Sequence, residues 1–96
     1  MTIRFYHERG RNDLLNELFF QLAFRGSVRR ENAFIYAQME DWTQFCSCFA
    51  AACAEVSRDY RGVWLRQKYV FRVIDYDRLV RVWWNFDLNG VYYSAA

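Results

Sequence analysis

The apolar residues of this chain change period partway along it. Between Asp13 and Gly26, and again from Glu40 to Tyr60, they recur in steps of three and four, and from Val63 onward they alternate. Steps of three and four place side chains on one stripe of a helix, whereas alternation places them on one face of a strand. A chain that does both must bury helical stripes against a sheet face, which defines the α+β class.

Thr2 to His7 reads as a short strand, with Ile3, Phe5 and His7 on one side and Thr2, Arg4 and Tyr6 on the other. Asn12 or Asp13 offers an N-cap, and Gly26 a stop, for a helix carrying Leu14, Leu15, Leu18, Phe19, Leu22 and Ala23. Its polar stripe, Asp13, Glu17, Gln21 and Arg25, runs acid first and base last, as the helix dipole prefers. Phe20 and Phe24 widen the apolar arc and predict that this helix is covered on more than one side. Ser27 to Asn32 reads as a charged connector, and Ala33 to Gln38 as a strand or the first turns of a longer helix. A second helix is predicted over Glu40 to Tyr60, with Trp42, Cys46, Phe49, Cys53, Val56 and Tyr60 as its seam and Gly62 ending it.

In the last third, Val63, Leu65, Tyr69, Phe71 and Val73 alternate with basic positions, and Val80, Val82, Trp84 and Phe86 repeat the pattern. Asn89-Gly90 is a strong hairpin signal, returning Val91 to Ser94 as an edge strand. The expected architecture is one α+β domain over residues 1–96: two helices packed on one face of a small antiparallel sheet, in the order β-α-β-α-β-β-β. Its core should draw on Leu14, Leu18, Phe19, Leu22, Trp42, Phe49, Phe71, Val82 and Trp84.

Composition narrows the function. The 96 residues are one domain's worth, and 54% hydrophobic with 21% aromatic content argues against disorder. A net charge of +2 is too mild to demand a polyanion. No run reaches the ~18 apolar residues of a membrane span, and the charged N-terminus lacks a signal peptide's apolar stretch. These features predict a non-exported, cytoplasmic protein with no membrane partner. The cysteines, Cys46, Cys48 and Cys53, are three in number, and an odd set cannot be fully paired within one chain. On a helix, Cys46 and Cys53 lie ~10 Å apart, beyond the ~7 Å limit for a disulfide. Cys46 and Cys48 point to opposite sides, so they read as reduced, buried hydrophobes rather than a metal site.

No cofactor or metal is expected, and catalysis is unsupported. His7, the lone histidine, has no nucleophile or carboxylate at a recognised spacing, and the four glycines form no phosphate-cradling loop. Glu40-Asp41 suits a helix start, and Asp75 and Asp77 suit a turn.

One surface invites a functional reading. If Tyr76 and Asp77 form a two-residue turn, Asp75 faces Arg78, Val73 faces Val80, Phe71 faces Val82 and Tyr69 faces Trp84. On the other side Arg72 then faces Arg81, Val70 faces Trp83 and Lys68 faces Asn85. Like charges directly opposed are destabilising, so that face asks for an acidic group. The candidate partner-binding residues are Arg66, Lys68, Arg72, Arg81 and Trp83, with Trp64 nearby. Competing readings are a solvated face whose arginines pair with Asp87, Glu31 or Asp59, and self-association as a homodimer through Val70, Ile74, Leu79 and Trp83. Of the 13 basic residues, all but Lys68 are arginine, which suits recognition by planar, bidentate pairing or reflects codon bias in a GC-rich genome.

The favoured function is a non-catalytic protein-binding module, a stoichiometric inhibitor or adaptor for a protein with an acidic surface. The alternative is a small nucleic-acid-binding protein using the same face, against which stand the mild charge and the missing aromatic signature of RNA-binding sheets. In genre, over no aligned residues, the chain resembles phage-encoded anti-defence inhibitors, the anti-CRISPR proteins included, which implies stoichiometric blocking.

Overall fold

Strand β1 (Thr2–His7) sets the geometry, because its alternation is complete: Ile3, Phe5 and His7 are buried, while Thr2, Arg4 and Tyr6 are not. In the computed structural model, which describes residues 1–59, 69–85 and 90–95, β1 lies inside the sheet with a partner on each side. The other strands are β2 (Ser27–Glu31), β3 (Phe34–Gln38), β4 (Tyr69–Val73), β5 (Arg78–Asn85) and β6 (Gly90–Ala95). They form a six-stranded antiparallel sheet in the order β2-β3-β1-β4-β5-β6. The helices are α1 (Asn12–Ala23) and α2 (Trp42–Asp59). Elements β1 to β4 with both helices follow the split β-α-β arrangement, and β5 and β6 extend it at the β4 edge.

The expected α+β class, with two helices on an antiparallel sheet, is what the chain adopts. The elements come in the anticipated sequence, with one strand more. Ser27–Glu31, expected as a charged connector, is edge strand β2, and Ala33 to Gln38 resolves to a strand rather than a helix start. Asn32, at a left-handed φ of 54°, turns the chain between β2 and β3. The charges of β2 follow from its place. At the sheet edge Arg29 and Glu31 stay exposed and discourage a further strand from pairing there, while half-buried Arg30 reaches back to Asn12 and Asn16 of α1.

Both helices contact each other and bury their apolar stripes in one core with the inward side of the sheet. Leu14, Leu15, Leu18 and Leu22 come from α1, and Phe45, Phe49, Ala52, Cys53 and Val56 from α2. Phe5 is the hub: its ring meets Phe45 at 5.5 Å, Phe49 at 5.7 Å and Phe71 at 6.1 Å, all edge-to-face. Such geometry adds roughly 0.5–1.5 kcal/mol per pair beyond area burial. Of the expected core, Leu14, Leu18, Leu22, Phe49, Phe71 and Val82 are buried. Phe19 and Trp42 pack at its margin, and the side chain of Trp84 lies outside the described residues.

The helix ends depart from expectation in detail. No side chain caps α1; Arg11 occupies its N-cap, and Asp13 is held by the Arg11 guanidinium at 2.8 Å instead of capping. Helix α2 is capped, because the Gln44 N–H donates to Asp41 Oδ1 at 2.8 Å and Gln44 Oε1 accepts from the Glu40 N–H at 2.5 Å. Phe20 and Phe24 are a correction. They are 64% and 76% exposed, so nothing among the described residues covers that side of α1.

The β4–β5 register is also corrected. Val73 lies opposite Arg78, Phe71 opposite Val80 and Tyr69 opposite Val82, a shift of two residues from the tight-turn expectation. A two-residue shift keeps every side chain on its own face, so the apolar pattern alone could not detect it. What selects the longer loop is Asp75. Its Oδ2 accepts the Arg4 backbone N–H at 2.9 Å and its Oδ1 accepts Arg4 Nε and Nη2 at 3.0 and 2.8 Å, while the Ile74 N–H donates to the Arg4 carbonyl at 2.9 Å. The chain thus runs on beside β1 before turning. Tyr76 then folds onto Trp42, 4.9 Å between centroids, and Asp77 closes the loop at a φ of 47°. Arg78 lands on the helix side, 5.1 Å from the Trp42 ring.

Candidate functional site: the open face of the sheet

Because both helices share one face, the alternate residues of every strand point to the other. Among the described residues no element covers that face, and none of its described side chains is fully buried. On β4 and β5 it carries Val70, Arg72, Leu79, Arg81 and Trp83. Three of the five expected partner-binding residues, Arg72, Arg81 and Trp83, therefore share a strip, with Tyr92 and Ser94 of β6 at the neighbouring register positions. Arg66 and Lys68, together with Trp64 and Lys68's expected neighbour pairing, lie outside the described residues.

The electrostatic argument for this strip changes with the register. Arg72 is opposite Leu79, and Arg81 opposite Val70, so the two guanidinium groups are not directly opposed. Arg72 is paired with Glu8 at 3.5 Å, and Glu31 with Arg29; Asp87 and the Asp59 side chain lie outside the described residues. Arg81 is exposed and has no ion-pair partner among the described residues. The attraction for an anion therefore centres on Arg81 beside Trp83, not on a repulsive arginine pair.

The other half of the face, on β1, β2 and β3, carries aromatic rings that sequence reading did not assemble. Tyr6 is opposite Phe34, with ring centroids 5.4 Å apart, and Phe34 is 6.3 Å from Tyr36. The Arg29 guanidinium lies 4.1 Å over the Tyr36 ring and pairs with Glu31 at 2.6 Å. The Arg4 hydrogen bonds hold the Asp75 carboxyl below the usual carboxylate range. The signals were present, an aromatic on the polar side of β1 and an aromatic-x-aromatic step in β3. They become one surface only because β1 and β3 are neighbours.

Other chemistry is sparse. His7 ends β1 fully inside the core margin, and its Nδ1 accepts the backbone N–H groups of Arg9 and Arg11 at 3.0 and 3.2 Å. With Nδ1 accepting twice, the proton of the neutral ring sits on Nε2, which has no partner among the described residues. Burial, then the nearby Arg11 charge, lowers its pKa, so the ring is held neutral. Cys46, Cys48 and Cys53 are free thiols, and burial pushes those of Cys46 and Cys53 up, away from reactive thiolate. Among the described residues no group of histidine, cysteine or carboxylate side chains is placed to hold a metal, and no helix is long and apolar enough to cross a membrane.

Comparison with protein-family models, curated proteins and solved structures finds no match to this chain. Function therefore has to be argued from the face itself.

Proposed function

We propose that this protein is a non-catalytic protein-binding module, a stoichiometric inhibitor or adaptor that occupies its partner through the open sheet face. The observation that carries the reading is the strip on β4 and β5, where exposed Arg81 adjoins Trp83 on a face with Val70 and Leu79. Arginine and tryptophan lead the residue types that dominate interface energetics, and apolar neighbours exclude water around them. A carboxylate-bearing protein surface supplies what Arg81 lacks within the described chain. A reducing, cytoplasmic setting suits three free thiols.

A protein partner is preferred over a polyanion because the other arginines described on the face are already neutralised. Arg4 pairs with Asp75 at 2.8 Å, Arg29 with Glu31 at 2.6 Å and Arg72 with Glu8 at 3.5 Å. The test is quantitative capture from a lysate of the source cells, with wild type, Arg81→Glu and Trp83→Ala as baits, followed by titration of the purified partner. A protein retained by wild type and lost by both variants, at unchanged melting temperature, supports the reading. Equal retention by all three baits sinks it. A size shift to a dimer abolished by the same substitutions would replace it with self-association.

A further inference from the structure

The half of the face that the proposed function does not use has its own chemistry. Tyr6 and Phe34 are directly opposite on adjacent strands inside the sheet, and Tyr36 follows two residues along β3. All three side chains are half-buried, so each retains accessible surface. The Arg29 guanidinium lies 4.1 Å over the Tyr36 ring, covering one face of it and presenting its own plane there instead. A shallow groove beside Tyr36, lined also by Thr2, Ser27 and Gln38, leaves room at the end of the row. Tyr6 and Phe34 meet edge to face, 5.4 Å apart at 66°, and Phe34 and Tyr36 are 6.3 Å apart and tilted by 55°, so the rings form one continuous aromatic cluster with differently directed surfaces.

From this arrangement we infer that the β1–β3 half of the face is a stacking platform for single-stranded nucleic acid, its bases packing against Tyr6, Phe34 and the Arg29–Tyr36 stack. Unpaired bases stack on aromatic rings and guanidinium planes of sheet surfaces without needing sequence-specific hydrogen bonds. The backbone of such a strand meets Arg4 and Arg29. Both keep their carboxylate partners, Asp75 and Glu31, so base stacking rather than phosphate attraction supplies the affinity. A duplex keeps its bases stacked on each other and offers nothing to the rings. The aromatic signature missing from the linear sequence is thus supplied by strand pairing.

This inference is independent of the protein-binding reading, because it uses β1 to β3 rather than Arg81 and Trp83. It also carries a signature: with Glu31 and Asp75 beside the arginines, few net counterions are released, so affinity depends only weakly on salt. The experiment is fluorescence anisotropy with a labelled uridine decamer, its DNA counterpart and a duplex of equal length, across a salt series. Wild type should bind both single strands in the micromolar range and the duplex at least tenfold more weakly. Tyr6→Leu and Tyr36→Leu, which keep apolar bulk and remove the π-face, should each weaken binding by roughly tenfold. Arg81→Glu should change it less than threefold.

Absence of single-strand binding, or equal affinity for the duplex, overturns the inference. So does binding that is lost in Arg81→Glu and kept in the tyrosine variants, a result that would move nucleic acid to the hairpin strip. If a tyrosine variant melts early, cross-linking of 4-thiouridine RNA to wild type decides the matter. Adducts on Tyr6, Phe34 or Tyr36 support the platform, and adducts confined elsewhere overturn it.

Discussion

The two faces of this sheet come from the same strands by the same alternation, yet different forces hold them. On the inner side Phe5 touches Phe45, Phe49 and Phe71 and is sealed from water. One residue away, Tyr6 leans on Phe34 while remaining accessible, and Arg4 is clasped by Asp75 in solvent. Inner contacts remove apolar surface from water, which is favourable, and so determine stability. Outer contacts keep their water and leave aromatic and guanidinium groups to spend on a partner. Substitution on the inner face should therefore appear in melting curves, and substitution on the outer face in binding.

The comparison can be broken most directly at Phe5. Phe5→Ala should cost ~3–5 kcal/mol in urea denaturation, a large part of the about 5–15 kcal/mol that holds a domain of this size. Tyr36→Leu should cost far less; comparable losses at both positions would show that the outer rings are structural.

His7 probes the inner face through pH. Its folded pKa is lowered from the ordinary 6.5, so the unfolded chain takes up the proton first. Stability should be level above that value and fall as pH drops below it, until the folded ring also protonates. His7→Asn, which can still offer an oxygen to the Arg9 and Arg11 N–H groups, should lose the pH slope between neutral and mildly acidic conditions. A slope that persists in this variant assigns it to other groups. Lower still, Asp13 is held down to about 2 by its bond from Arg11, and that exposed pair loses its small contribution as pH falls from about 4 towards 2.

Asp75→Ala sharpens the account of the register. Without the carboxylate the Arg4 N–H loses its acceptor, and the melting temperature should fall by a few degrees. Cross-strand NOEs should show whether Val73 still faces Arg78 or slides to Val80. A variant that keeps both its register and its melting temperature would remove Asp75 as the cause.

The smallest effects belong to the surface. Arg81→Glu and Phe24→Gln should each leave stability within about 0.5 kcal/mol. Phe24→Gln, at a site 76% exposed, should if anything improve solubility. A clear destabilisation by Phe24→Gln would mean that α1 is covered after all.

Much of the fold was legible along the chain. The burial of Leu14, Leu18 and Leu22, the partition of β1 into Ile3, Phe5 and His7 against Thr2, Arg4 and Tyr6, and the helix start at Asp41 all follow from local period and capping. The site was legible in part: Arg72, Arg81 and Trp83 do share the outward face. Ser27–Glu31 is not legible as a strand because three charges in five residues look like a loop, and only its edge position makes them useful.

What the amino-acid order determined by itself is which residues share a face, since alternation and helical period are properties of neighbouring residues. Which strands lie side by side, and in what register, was decided by contacts between residues far apart. Arg4 and Asp75 are separated by 71 positions, and their hydrogen bonds select one of two registers that bury the same side chains. Tyr6 and Phe34 likewise meet only because β3 returns along β1. A period can be satisfied equally well by several pairings, and the choice among them is a tertiary one.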